Sequence, residues 1–258
     1  MTIAEKLEKF CDRYNISFKF LDVILDDPKV IPMIRGKSFE FFAAEVIKKL
    51  LKGYLVENPR GNSSVGQHDV DILVTEPNGT KHSVECKLSG KGLCKISKDQ
   101  TEIKIKCMRS RTLGEKAIEF YAKHWKVSKA YIEKHRDQYR PSDFEYVVTS
   151  IGNAFYTTTE GQYGWNPTEE QIEFLNGIGV KNQKQAYKRL YFARSANLIS
   201  TNKTRTCVKK TCNDPECAFI PNYPVMIFKK GKTEPEPPWY SIEKLEADFK
   251  KNSKEIAD

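Results

Sequence analysis

Two short apolar runs, DILVT at 71–75 and KHSVECKL at 81–88, flank a spacer whose Pro-Asn-Gly is a strong turn signal. The economical structure is a pair of adjacent antiparallel strands. This pairing constrains the chain more than any other feature, because side chains on a strand return to the same face every second residue. Glu85 and Lys87 therefore point one way, and Asp69, Asp71 and Leu73 share a face of the neighbouring strand. An acid at one strand's start and an acid plus a lysine on the other converge at one end of a sheet.

Around this hairpin the pattern alternates between helix and strand. Amphipathic stretches at about 3–14 and 17–26 come first, and the two prolines of DDPKVIP interrupt them. After Gly36, the residues Phe39, Phe42, Ala43, Val46, Ile47, Leu50 and Leu51 recur at helical spacing and stop at Gly53. YLVENP reads as a short strand and RGNSSVGQH as a loop, while KDQTEIKIKCMRSR fits strand or loop equally. A helix is expected over about 115–138, a buried strand at DFEYVVTSI, and a helix capped by Asn166 with Pro167 in its first position. PVMIFKK predicts one more strand, and SIEKLEADFKK a closing helix on an exposed edge. GKG at 90–92 is expected to let the chain turn after its strand. The order implies a mixed α/β core over 1–160, with a central mixed sheet flanked by helices. A basic, helix-rich region over 161–258 packs on it or continues it as one domain.

The 258 residues are 39% hydrophobic and 30% charged, enough to bury a core. No apolar run approaches the roughly 18 residues that span a bilayer, and the first residues lack a signal-peptide core, so no membrane partner is expected. Seven cysteines at irregular spacings agree with reduced thiols and a cytoplasmic location. The net charge of +9 is localised. Between Glu173 and Asp214 no acid occurs, while Lys181, Lys184, Lys188, Arg189, Arg194, Lys203, Arg205, Lys209 and Lys210 do, interleaved with Tyr187, Tyr191 and Phe192. Such a block suits a polyanion, double-stranded DNA in particular, since each cation that meets a phosphate releases counterions. Its bland counterpart is a solvated helix face.

Two carboxylates brought together repel, and a cation between them relieves the repulsion. Magnesium (Mg2+) fits, because it takes oxygen ligands from one or two carboxylates and keeps waters that phosphate oxygens displace. A metal-acidified water beside Lys87 makes sense as phosphodiester hydrolysis. The plain alternative for Asp71, Glu85 and Lys87 is a surface ion pair across a hairpin.

Asp71 opening a strand, ECK at 85–87 on the next, and SFEFFAAEVIKKLL upstream together resemble the PD-(D/E)xK nuclease superfamily, which includes type II restriction endonucleases and Mrr-like enzymes. The resemblance covers about residues 36–88. It implies a restriction-endonuclease-like fold and magnesium-dependent DNA cleavage. By the same carry-over Asp71, Glu85 and the backbone carbonyl of Cys86 bind metal, Lys87 serves the attacking water, and Glu40 supports the metal. Val70 stands where the motif has proline, which leaves Asp69 as a rival ligand, and His68 is a candidate phosphate contact. DPK at 27–29 and EIK at 102–104 repeat the acid-x-lysine pattern without a partner strand. The leading expectation is a type II restriction enzyme acting as a homodimer on palindromic sites. An Mrr-like or repair nuclease and a non-catalytic DNA-binding protein are the alternatives. Cys207, Cys212 and Cys217, with four residues between successive members, are a weaker candidate for structural zinc (Zn2+), because no histidine lies nearby in sequence. His82 falls on the face opposite Glu85 and is expected to be structural.

Overall fold

A computed structural model describes residues 1–59, 70–199, 212, 214 and 217–257, with side chains through 252. The expectations for His68, Asp69, Lys203, Arg205, Cys207, Lys209 and Lys210 fall outside the described residues.

Three helices lead the chain: α1 (Ile3–Arg13), α2 (Leu21–Leu25) and α3 (Val30–Leu50). The last begins well before the expected start after Gly36. Pro32 stands in its first turn, where N–H groups have no intrahelical partner in any case, so the proline costs no bond. Gly53, at φ +88°, turns the chain out of it. Then come β1 (Leu55–Glu57), β2 (Ile72–Thr75), β3 (Lys81–Ile96) and β4 (Gln100–Ile105).

The single helix expected over 115–138 is two, α4 (Glu115–Trp125) and α5 (Lys129–Lys134). Lys126 breaks them with a left-handed backbone, and the Ser128 hydroxyl caps the second by accepting from Tyr131 N–H. Strand β5 (Tyr146–Ser150) is buried throughout, as expected. A small hairpin, β6 (Tyr156–Thr159) with β7 (Gln162–Trp165), precedes α6 (Glu169–Gly177). Thr168, not Asn166, caps α6, because its hydroxyl and Gln171 bond each other's backbone N–H reciprocally. The remainder is α7 (Gln183–Lys188), β8 (Leu190–Arg194), β9 (Val225–Lys229), β10 (Tyr240–Ser241) and α8 (Leu245–Ala257).

Eight strands make one curled mixed sheet in the order β1-β2-β3-β5-β8-β10, with β4 paired to β3 and β9 to β4. The hairpin is antiparallel, with Ile72 opposite Val84, while β3 and β5 run parallel. At Ser89–Cys94 the register shifts, and Gly92 takes φ +67°. The glycines therefore bend β3 instead of ending it, and its pairing with β4 spans the bend from Ser89 to Ile96. The described part of the basic segment supplies α7 and also β8, an interior strand of the sheet with Leu190 to Ala193 buried.

Alternation along β5 divides the interior. Val147 faces one core with Tyr191, Phe155, Phe228 and Trp239, while Val148 faces another built from α3, α8, Ile72, Val84 and Phe192. Leu245 and Phe249 of α8 are fully buried in the second core, so α8 covers the sheet's back and does not lie on an exposed edge. A third, smaller cluster joins α4 and α5 to Cys217 and Phe219. No helix among the described residues is long and apolar enough to cross a membrane.

Gly152 lets the turn after β5 touch α7, since a Cβ there would meet the Tyr187 Cα at 2.8 Å and N at 2.9 Å. Gly152→Ala is expected to cost about 1–3 kcal/mol, measured as a lower urea midpoint with an unchanged slope.

Candidate active site

Strand β2 starts at Ile72, but β3 runs on beyond its partner. Extending their register sets Asp71 opposite Glu85, on one face. The Cys86 N–H faces the side where β2 has ended, and Asp71 Oδ2 accepts it at 2.8 Å. N–H and C=O of one strand residue point the same way, so the Cys86 carbonyl is directed to that same open end. Asn58 Nδ2 donates to the Asp71 carbonyl at 2.9 Å and fixes the backbone there.

Glu85 is 2% exposed. Its Oε1 lies 2.5 Å from Lys87 Nζ and accepts from the Tyr139 hydroxyl at 3.3 Å, while Lys87 donates to that hydroxyl at 3.3 Å. Burial of both charges sets this pair apart from a surface ion pair across a hairpin. From α3, Glu40 enters the same cleft with its carboxylate bonded to Lys37. The cleft holds about 1120 Å³, and Glu40, Asp71, Glu85, Cys86, Lys87 and Tyr139 all line it.

Electrostatics there are dominated by carboxylates. Burial, then the charges of Glu85 and Glu40, push the Asp71 carboxyl up to about 7. For Lys87, burial alone would lower the pKa, but Glu85 and Tyr139 outweigh it and hold the ammonium well above its usual range. With Glu40 paired to Lys37, Asp71 and Glu85 share the one ammonium of Lys87, which leaves a deficit of positive charge at this end of the cleft once both are ionised. The donors in reach are carboxylate oxygens and a backbone carbonyl, the ligand chemistry of a hard divalent cation such as magnesium. Asp71, Glu85 and the Cys86 carbonyl are the residues that would hold it, with Glu40 beside them.

The expected DNA contacts are arranged differently. Lys181, Lys184 and Lys188 are exposed but lie outside the cleft lining. Arg189 is engaged internally by the Tyr191 hydroxyl at 2.7 Å and the carbonyls of Ile178 and Thr233. Arg194 holds Asp248 at 2.7 Å and Asn252 at 3.0 Å, fastening α8 to the sheet. Lys91, Lys106 and Arg111 are the exposed cations of the cleft, with Arg109 buried in its wall on Asp143. Sequence reasoning missed these and Tyr139. RSR at 109–111 offered a basic signal, whereas Tyr139 arrives from a loop with no pattern at all.

Neither decoy lines the cleft. His82 is structural as expected, buried between Glu76 at 2.7 Å and Glu145 at 2.9 Å and stacked on Phe249. Cys212 and Cys217 do have a histidine beside them, His135, which the fold brings from a distant segment.

The Asp71 shift has a sign. An acid raised from 3.8 to about 7 by folding contributes stability that is complete below its unfolded value and lost as pH rises to its folded value. Without divalent cations, Asp71→Asn should therefore be more stable than wild type at pH 8 by roughly 1–4 kcal/mol, with the difference vanishing toward pH 4. Thermal unfolding across that range measures it, and added magnesium should raise the wild-type midpoint at pH 8 but not the variant's. No protein-family model, no curated protein and no solved structure matches the chain, so what is said of this site stands on its geometry.

Proposed function

We propose that the chain is a magnesium-dependent endonuclease that hydrolyses phosphodiester bonds of double-stranded DNA, of the PD-(D/E)xK kind and most simply a sequence-specific type II restriction enzyme. The observation that carries this reading is the convergence of Asp71, Glu85, Glu40 and Lys87 on one cleft, at the point where β2 stops and β3 continues.

A bound magnesium would supply a more acidic water and neutralise charge on the phosphoryl oxygens. The protein's own part is positioning. Asp71 is held by the Cys86 N–H, and Glu85 by Lys87 and Tyr139, so both carboxylates are oriented before any ligand arrives. Lys87 is a firm ammonium and therefore no base; it donates to the attacking water or to the phosphate oxygens as negative charge grows there. In the reaction the water oxygen bonds to phosphorus and releases a proton to solvent, one P–O ester bond breaks, and the departing oxygen takes up a proton from solvent. Exposed Lys91, Lys106 and Arg111 at the cleft suit the phosphates on either side of the scissile bond. A two-fold dimer would match a palindromic site.

The decisive experiment incubates purified protein with plasmid DNA and magnesium and maps the fragment ends. Discrete cuts are expected, and methylated and unmodified plasmid compared side by side separate a restriction enzyme from a modification-dependent nuclease. Asp71→Ala and Lys87→Ala should each lower cleavage by on the order of 100-fold or more while salt-sensitive DNA binding persists. Calcium should support binding without turnover. Wild-type levels of cutting by either variant would remove the assignment.

A further inference from the structure

The third cluster holds a group of side chains that the cleft chemistry does not use. His135 follows the last turn of α5 and is fully buried, Cys217 is 2% exposed, and Cys212 is half-buried. One ligand atom from each, an imidazole nitrogen and two sulfurs, lies within 4.8 Å of the others. The His135 Nε2 to Cys217 Sγ separation is 3.9 Å. Two ligands on one tetrahedral zinc, a sulfur at 2.3 Å and a nitrogen near 2.05 Å, stand roughly 3.6 Å apart, so little movement is needed.

Hydrogen bonding sets the imidazole for this purpose. Gln138 Nε2 donates to the Ile220 carbonyl at 2.9 Å, which leaves its Oε1 to accept, at 2.7 Å, from His135 Nδ1–H. The proton therefore sits on Nδ1, and the lone pair of Nε2 faces the cysteine. An outer partner that fixes the tautomer in this way is characteristic of metal-bound histidine. Phe219 stacks on the ring at 4.2 Å, and Tyr131 meets it edge-on at 5.0 Å, so its rotation is restricted as well. Asp214, between the cysteines, accepts Cys217 N–H at 3.4 Å and the Tyr131 hydroxyl at 2.8 Å, which ties the cysteine segment to α5.

We propose that His135, Cys212 and Cys217 supply three ligands to one zinc ion, with a water completing the tetrahedron, and that the ion fastens the α4–α5 pair to Cys212 and Cys217 and so braces the cleft wall that Leu113 and Ala117 provide. Two thiols and a neutral imidazole favour zinc over the hard, oxygen-seeking cation of the cleft. The ion would sit in the small core that α4 and α5 form with Cys217 and Phe219. Each zinc bound displaces the two thiol protons, so affinity falls with falling pH. This site is independent of the nuclease reading.

Full-length protein purified without chelators, or reconstituted with zinc and desalted, is expected to carry close to one zinc per chain by elemental analysis. Cobalt(II) in its place should give intense visible absorption of tetrahedral type and a near-ultraviolet sulfur-to-metal charge-transfer band. Cys212→Ser, at the half-buried position, should weaken zinc binding by about 100-fold or more, and Gln138→Ala by about 10- to 100-fold through loss of the tautomer lock. A strong chelator should lower the unfolding temperature of wild type and leave that of Cys212→Ser unchanged. Wild-type protein that stays well below half occupancy after reconstitution, cobalt bound without the sulfur band, or Cys212→Ser retaining wild-type affinity would each overturn the proposal.

Discussion

Everything in this molecule hangs on the length mismatch between β2 and β3. Four residues of one strand cannot satisfy sixteen of the other, so the surplus of β3 finds its partner in β4, from Ser89 to Ile96 across the bend at Gly92, while β5 pairs residues 84–88 along the far edge. The mismatch also leaves an exposed stretch of backbone at Cys86, and an unpaired strand end that is not solvated must be met by a side chain. Asp71 meets it. The carboxylate that completes the ladder is thereby held beside Glu85, and its burial, then the repulsion from Glu85, appear as its raised pKa.

The two cores show how the sheet can tolerate so much charge at one end. Val84 and Cys86 point into the apolar layer between the sheet and the helices α3 and α8, while Glu85 and Lys87 point to the other side. Period-two alternation thus separates packing from chemistry residue by residue. Tyr139 and Arg109 close the polar side, with the Arg109 guanidinium over the Tyr139 ring at 4.6 Å and bonded to Asp143. The ring is pinned, and its hydroxyl keeps both Glu85 and Lys87 in place.

The hairpin was legible because its signals are local. A Pro-Asn-Gly turn and two alternating runs need no distant information, and with them came the shared face of Asp71, Glu85 and Lys87. The buried strand β5 was equally plain from its β-favouring Tyr146, Val147 and Val148. By contrast, β8 was obscured because the four buried residues Leu190 to Ala193 are bracketed by Arg189 and Arg194, and charge composition over a long window drowns so short a strand. Both arginines turn out to bond carbonyls, a hydroxyl and a carboxylate within the fold, which no charge count reveals. The start of α3 was hidden by Pro32, a helix breaker everywhere except in the turn it occupies. Tyr139 and His135 owe their positions in these clusters to tertiary packing, and for such residues spacing carries no signal.

The order in which these parts leave a ribosome matters as well. The hairpin with its acids is made early, but its rear support, α8 with Phe249 against His82 and Asp248 on Tyr146, is made more than a hundred residues later. Strand β9, which covers the outer edge of β4, is also late. A nascent chain bearing the acids but lacking these pieces has no finished layer to hold them in register, so the cleft takes its shape only after α8 has emerged.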